Sequence, residues 1–121
     1  AFRLPTFVLG WVFGKANHPS KSYDELVAKY KARLAAATVQ PPRQFQPKTQ
    51  PFENRAKLAK DLQRNVEKLS QLLQTKPETL LDSYVLPHPL LGKLTLREML
   101  YFTIYHVQHH QTLIQKNLSI K

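Results

Sequence analysis

Apolar positions recur every three or four residues through most of the chain, and short proline-bearing segments interrupt them. Tyr23, Leu26, Val27, Tyr30 and Leu34 keep this spacing as far as the alanines at 35 to 37. Ser22 followed by Glu25 has the spacing of a capping box, so a helix is predicted over 23–37. Pro41, Pro42 and Pro47 then lie among glutamines and basic residues, and 38–50 reads as an extended surface connector. Pro51 suits an early helical position. After it Phe52, Ala59, Leu62, Val66, Leu69 and Leu73 mark a long amphipathic helix over 51–75. Thr75 and Glu78 with Pro77 between them predict a short helix over 77–84. Pro87 and Pro89 keep the stretch from Leu86 to Gly92 out of regular helix, and Thr95 with Glu98 caps a last helix over 95–117. No repeats and no alternating strand pattern are visible. The expected architecture is an all-α bundle with long connections, occupying 1–121 as a single domain.

At 121 residues, 42% of them hydrophobic, the chain is too apolar for a disordered polypeptide but can bury only a modest core. It has no cysteine, which excludes disulfides, thiolate metal sites and cysteine nucleophiles. Histidine and carboxylate are left as the metal-binding side chains, and a cytoplasmic location fits. Eighteen Lys and Arg against eight Asp and Glu give a net charge of +10, enough to attract nucleic acid or an anionic surface non-specifically. The cations are dispersed, as in Lys57, Lys60, Arg64 and Lys68, and read first as a solvated surface. The apolar run from Leu4 to Phe13 is about half the roughly 20 residues that span a bilayer, and Pro5 and Gly10 interrupt it. No membrane span and no signal peptide are expected. The run should pack on the core, and with Ala1 in place of methionine an N-terminal portion of the natural protein is expected to be missing.

The candidate chemistry is concentrated in the segment HVQHH. At about 100° per residue, Met99, Thr103, His106, His110 and Leu113 share one arc of roughly 80°, with both histidines in its middle. This arc is the expected core face. Buried imidazoles need hydrogen-bond partners or a metal. Residues four apart lie about 6 Å apart along the axis, so His106 and His110 can converge on one ion at about 2 Å. Ordinary helices also carry such pairs by chance, and a purely structural pair is the equal alternative. His109, roughly 80° off the centre, either borders the pocket or donates to a ligand from behind; a half-exposed surface histidine explains it as well. A third protein ligand is hard to find. His88 precedes the helix, and His106 lies about 16 Å along it, so His88 reads as a loop residue. His18 reads as a turn residue. Asp61 and Glu67 fall off the apolar stripe, and Glu25, Glu78 and Glu98 are occupied as caps. The third ligand is expected outside this chain.

Residues 87 to 116, PHPLLGKLTLREMLYFTIYHVQHHQTLIQK, resemble the last-helix signature of the DinB-like superfamily. The likeness extends more weakly through the 52 to 73 helix and the segment LGWVFGK. It implies a four-helix bundle that binds a divalent metal through three histidines, and of such metals zinc and nickel both accept imidazole. The HxxxH pair maps onto His106 and His110, and the family's first histidine would precede Ala1. An incomplete bundle would leave apolar faces bare and favour a homo-oligomer. The resemblance further implies a hydrolase, or a transferase using a low-molecular-weight thiol, with metal-bound water or thiol as nucleophile. Tyr101 and Tyr105 could donate hydrogen bonds there, although tyrosine at this spacing is more often packing. The contrasting expectation is a non-enzymatic basic bundle that binds an acidic partner such as DNA, with structural histidines. No helix-turn-helix or aromatic-plus-basic stripe supports it.

Overall fold

The computed structural model describes residues 14–38 and 40–119, and the predicted packing of the Leu4 to Phe13 run lies outside them. Among the described residues four α-helices follow one another: α1 over Tyr23–Ala36, α2 over Arg55–Gln74, α3 over Glu78–Ser83 and α4 over Leu96–Ser119. The chain divides into two compact units. One holds the described residues up to Thr38 together with those from Glu78 on; the other holds the residues between.

In the first unit α1 begins at the expected capping box. The Ser22 hydroxyl accepts from the Glu25 amide at 3.3 Å, and the Glu25 carboxylate accepts from the Ser22 amide at 2.9 Å. Leu26 and Tyr30, four residues apart, face one way and are buried with Leu91 and Leu94. Met99, Tyr101, Phe102 and Tyr105 of α4 pack against this core.

Between α3 and α4 lies an element absent from the sequence expectation: an antiparallel hairpin of β1, Val85–His88, and β2, Gly92–Thr95. Its register pairs Val85 with Thr95 and His88 with Gly92. Four-residue strands with a proline in one of them leave almost no period-2 signal. Pro87 is tolerated because its nitrogen, like the Val85 amide that donates to Gly14, is directed away from β2 and is not needed for the hairpin pairing. Gly92 follows the three-residue loop with φ +80°, the left-handed conformation that such hairpin loops commonly place at this point. Residues 14 to 16 run beside β1, where the Gly14 carbonyl accepts from the Val85 amide at 3.2 Å and the Ser83 carbonyl from the Ala16 amide at 2.9 Å.

The second unit consists of single 3-10 turns at Arg43–Phe45 and Phe52–Asn54 followed by α2. Leu58, Leu62, Val66, Leu69 and Leu72 form an exposed stripe along α2. The expected cap at Thr75 is not made. The Thr75 hydroxyl instead donates to the Leu72 carbonyl at 2.8 Å and closes α2, while the Glu78 carboxylate lies 3.5 Å from Arg97.

Candidate metal centre

His106 and His110 project from neighbouring turns of α4, and their Nε2 atoms stand 3.0 Å apart. Without an ion the contact is a hydrogen bond, and only one of the two nitrogens can carry the proton. The rings meet edge to face, with centroids 4.4 Å apart. Burial pushes the His106 imidazole below its ordinary pKa, and the neighbouring His110 and His109 push in the same direction. A neutral imidazole with an available lone pair is the form that ligates metal.

The two histidines are not, as the helical wheel suggested, at the centre of the covered face. Tyr30 of α1 meets Phe102, Tyr105, His106 and His109 with ring centroids 5.2, 5.8, 6.2 and 6.3 Å away. Tyr23 meets Tyr101 at 5.9 Å. The covered face is therefore turned by roughly 70° from the predicted arc, toward Tyr101, Tyr105 and His109. Thr103, His110 and Leu113 are exposed, while His106 is half-buried at the shoulder. α4 is apolar nearly all round, so its own periodicity could not say which side α1 would take.

His109 is half-buried and borders the pair, 5.7 Å from the His110 ring. Tyr101 and Tyr105 are packing residues of the α1–α4 contact. His88 would be remote from His106 only if the chain led directly into the helix. The hairpin folds back along α4 and brings the His88 ring to 4.4 Å from Phe102, whose ring also lies 4.8 Å from that of His106. His88 Nδ1 is occupied, accepting from the amides of Leu90 and Leu91 at 3.1 Å each.

His18 is more than a turn residue. Its Nε2 lies 3.3 Å from the carboxylate of Glu98, a side chain with no exposed surface. Glu98 also accepts from the Thr95 amide at 2.8 Å, reciprocating the cap in which the Thr95 hydroxyl accepts from the Glu98 amide. The Lys21 amide donates to it at 3.0 Å, and the Lys21 ammonium stands 3.5 Å away. The capping box was legible; the other partners are some 80 positions distant, and nothing local signals them.

Beside the imidazoles an open groove of about 460 Å³ runs along α4, lined by His106, Val107, His110, Gln111, Ile114 and Gln115. The donor set fits a divalent ion in part. Two bonds of about 2.1 Å meeting near a right angle span about 3.0 Å, the separation of the Nε2 atoms. Among the described residues no group of three or more His, Asp or Glu side chains that could hold an ion comes together. Asp61 is paired with Lys57 at 2.8 Å, and Glu67 accepts from Gln63 at 2.9 Å.

A family model described as the DinB superfamily matches residues 6–114. No curated protein and no solved structure matches the chain. The match covers the hairpin, the capped start of α4 and both histidines of the pair, and it agrees with a mostly helical fold. The chain belongs to the DinB superfamily.

Proposed function

We propose that this chain is part of a divalent-metal-dependent enzyme, a hydrolase or a thiol-dependent transferase, in which His106 and His110 are two of the metal's ligands. The approach of their Nε2 atoms to 3.0 Å carries the reading. Zinc or nickel suits imidazole donors, and such an ion, when bound, lowers the pKa of a coordinated water or thiol and so supplies a nucleophile at neutral pH. The protein's part is to present two imidazole nitrogens on one side of an open groove, with Val107 and Ile114 as its apolar lining. A small substrate or a low-molecular-weight thiol would lie there. His109 borders the ligands, and a further ligand comes from outside the described residues. The protein works in the cytoplasm as a homo-oligomer.

The test is metal content and metal response. The protein is expected to take up zinc or nickel, and His106→Ala or His110→Ala to lower its affinity by at least about tenfold, as losing a direct ligand should cost no less than losing a supporting hydrogen bond. Unchanged uptake in both variants would falsify the assignment. Metal-dependent turnover of a thiol and an electrophile, or of a hydrolysable ester or amide, then separates transferase from hydrolase.

A second reading draws on α2. Lys57, Lys60, Arg64 and Lys68 share one arc of roughly 80°, and the first three line an open groove of about 490 Å³ with Ala56 and Asp61. Such a stripe suits an acidic partner such as DNA. Binding that weakens steeply with salt, and that ignores His106→Ala and His110→Ala, would favour it.

A further inference from the structure

His106 is useful to its partner only in one ring orientation. Rotation about χ2 would swing Nε2 away from His110, and a hydrogen bond between a half-buried and an exposed imidazole is too weak to prevent that by itself. The surroundings supply the constraint. Phe102, one turn earlier on α4, lies nearly parallel to the His106 ring, with centroids 4.8 Å apart and planes inclined by 23°. Phe102 is fixed in turn from two sides. The Tyr30 ring meets it edge-on at 5.2 Å, and the His88 ring meets it at 4.4 Å with an interplanar angle of 71°.

His88 is itself held tightly for a hairpin residue. Its Nδ1 accepts two backbone amides across the loop, from Leu90 and Leu91, so any ring proton sits on Nε2. Prolines on both sides, Pro87 and Pro89, restrict its backbone. With Nδ1 committed to those amides, His88 supports the pair through Phe102 rather than as a ligand. Its place is against the Phe102 ring.

We infer that Phe102 is the platform that orients His106 toward His110, and that His88, locked by the hairpin loop, holds that platform in position. Both are positioning residues, and their importance for metal binding rests on the metal reading above. The stack serves the purpose that a hydrogen bond from behind commonly serves for a ligating histidine, and loss of such support typically costs about 10- to 100-fold in affinity.

The experiment uses the full chain and follows the imidazole resonances of His106 and His110 by NMR during titration with zinc, beside the metal-free melting curve. Phe102→Leu keeps the apolar volume but removes the aromatic face, and Phe102→Tyr restores the face. His88→Asn keeps a side-chain acceptor for the Leu90 and Leu91 amides and removes the ring. Zinc affinity is expected to fall about tenfold in Phe102→Leu, to fall less in His88→Asn, and to stay near the unsubstituted value in Phe102→Tyr. The melting curves of His88→Asn and Phe102→Tyr should be close to that of the unsubstituted chain. Affinity unchanged in Phe102→Leu and His88→Asn overturns the inference and leaves the metal reading intact. If Phe102→Leu does not fold, His88→Asn decides alone. If the unsubstituted chain's imidazoles ignore zinc, the metal reading falls, and the orienting role is judged on the metal-free spectrum. There the ring protons of His106 should lie upfield because of the stack, and a shift that survives in the aliphatic variant overturns the inference too.

Discussion

Glu98 shows how much one residue can hold together in a small core. It has no exposed surface, and it joins the start of α4 to the segment that leads into α1 through the Lys21 amide, the Lys21 ammonium and His18. Replacing it with alanine strands the Thr95 and Lys21 amides, and buried donors without partners are costly. Glu98→Ala should lose about 3 kcal/mol in chemical denaturation, and Glu98→Gln, which keeps one acceptor oxygen, clearly less. The pH dependence has a definite sign. Burial pushes the Glu98 carboxyl upward, but the Lys21 and Thr95 amides, the His18 imidazole and the Lys21 charge outweigh it and hold the group below its ordinary value. A depressed folded pKa means that the unfolded chain binds the proton more readily. The stabilisation is therefore complete above the ordinary carboxyl value of about 4.5 and is lost as pH falls through the folded value. Melting temperatures measured from pH 6 down to pH 3 should fall less steeply in Glu98→Gln. Asp82, held down by Arg97 and then by Ser20, adds a slope of the same sign that this variant leaves in place.

Among the elements, the hairpin does most to place the site. Its loop turns at Gly92, where φ is +80° and a Cβ would meet nothing within 4 Å. The cost of Gly92→Ala is thus backbone strain without a clash, and about 1 to 2 kcal/mol of stability should go. Gly92→Asn should lose less, since asparagine tolerates the left-handed region; equal losses in equilibrium unfolding would contradict this account. The same element explains an error of distance. His88 looked remote from His106 because a helix rises about 1.5 Å per residue and the two are separated by most of three turns beyond the cap. A chain that doubles back cancels that rise, and two four-residue strands carry no pattern from which the reversal could be read. Two of the three predicted caps, by contrast, are readable. Ser22 with Glu25 and Thr95 with Glu98 form as their spacing predicts, because a capping box closes within four residues and needs nothing from the rest of the fold.

On the scale of the whole molecule the surface of α4 is the notable feature. Ile104, Val107, Ile114 and Leu118 are 53%, 63%, 58% and 62% exposed, on the side of the helix away from α1. Isolated apolar residues on a surface need no explanation, but a continuous stripe favours association. The homo-oligomer proposed above predicts concentration-dependent sedimentation, with Val107→Lys combined with Ile114→Lys shifting the chain toward monomer. A monomer at every concentration would count against it. No helix among the described residues is long and apolar enough to cross a membrane.

The sequence by itself determined what depends on neighbours along the chain: the four described helices, the capping boxes at Ser22 and Thr95, the proline-bearing connections, and the placing of His106 and His110 one turn apart on one helix. These follow from helical period and from side chains that reach three or four residues. The tertiary structure alone decided which side of α4 is covered, since a helix apolar nearly all round has no preferred face until α1 lies against it with Leu26 and Tyr30. It also decided that His88 packs against Phe102 and that His18 reaches Glu98, contacts made by chain reversal across distances at which local spacing carries no information.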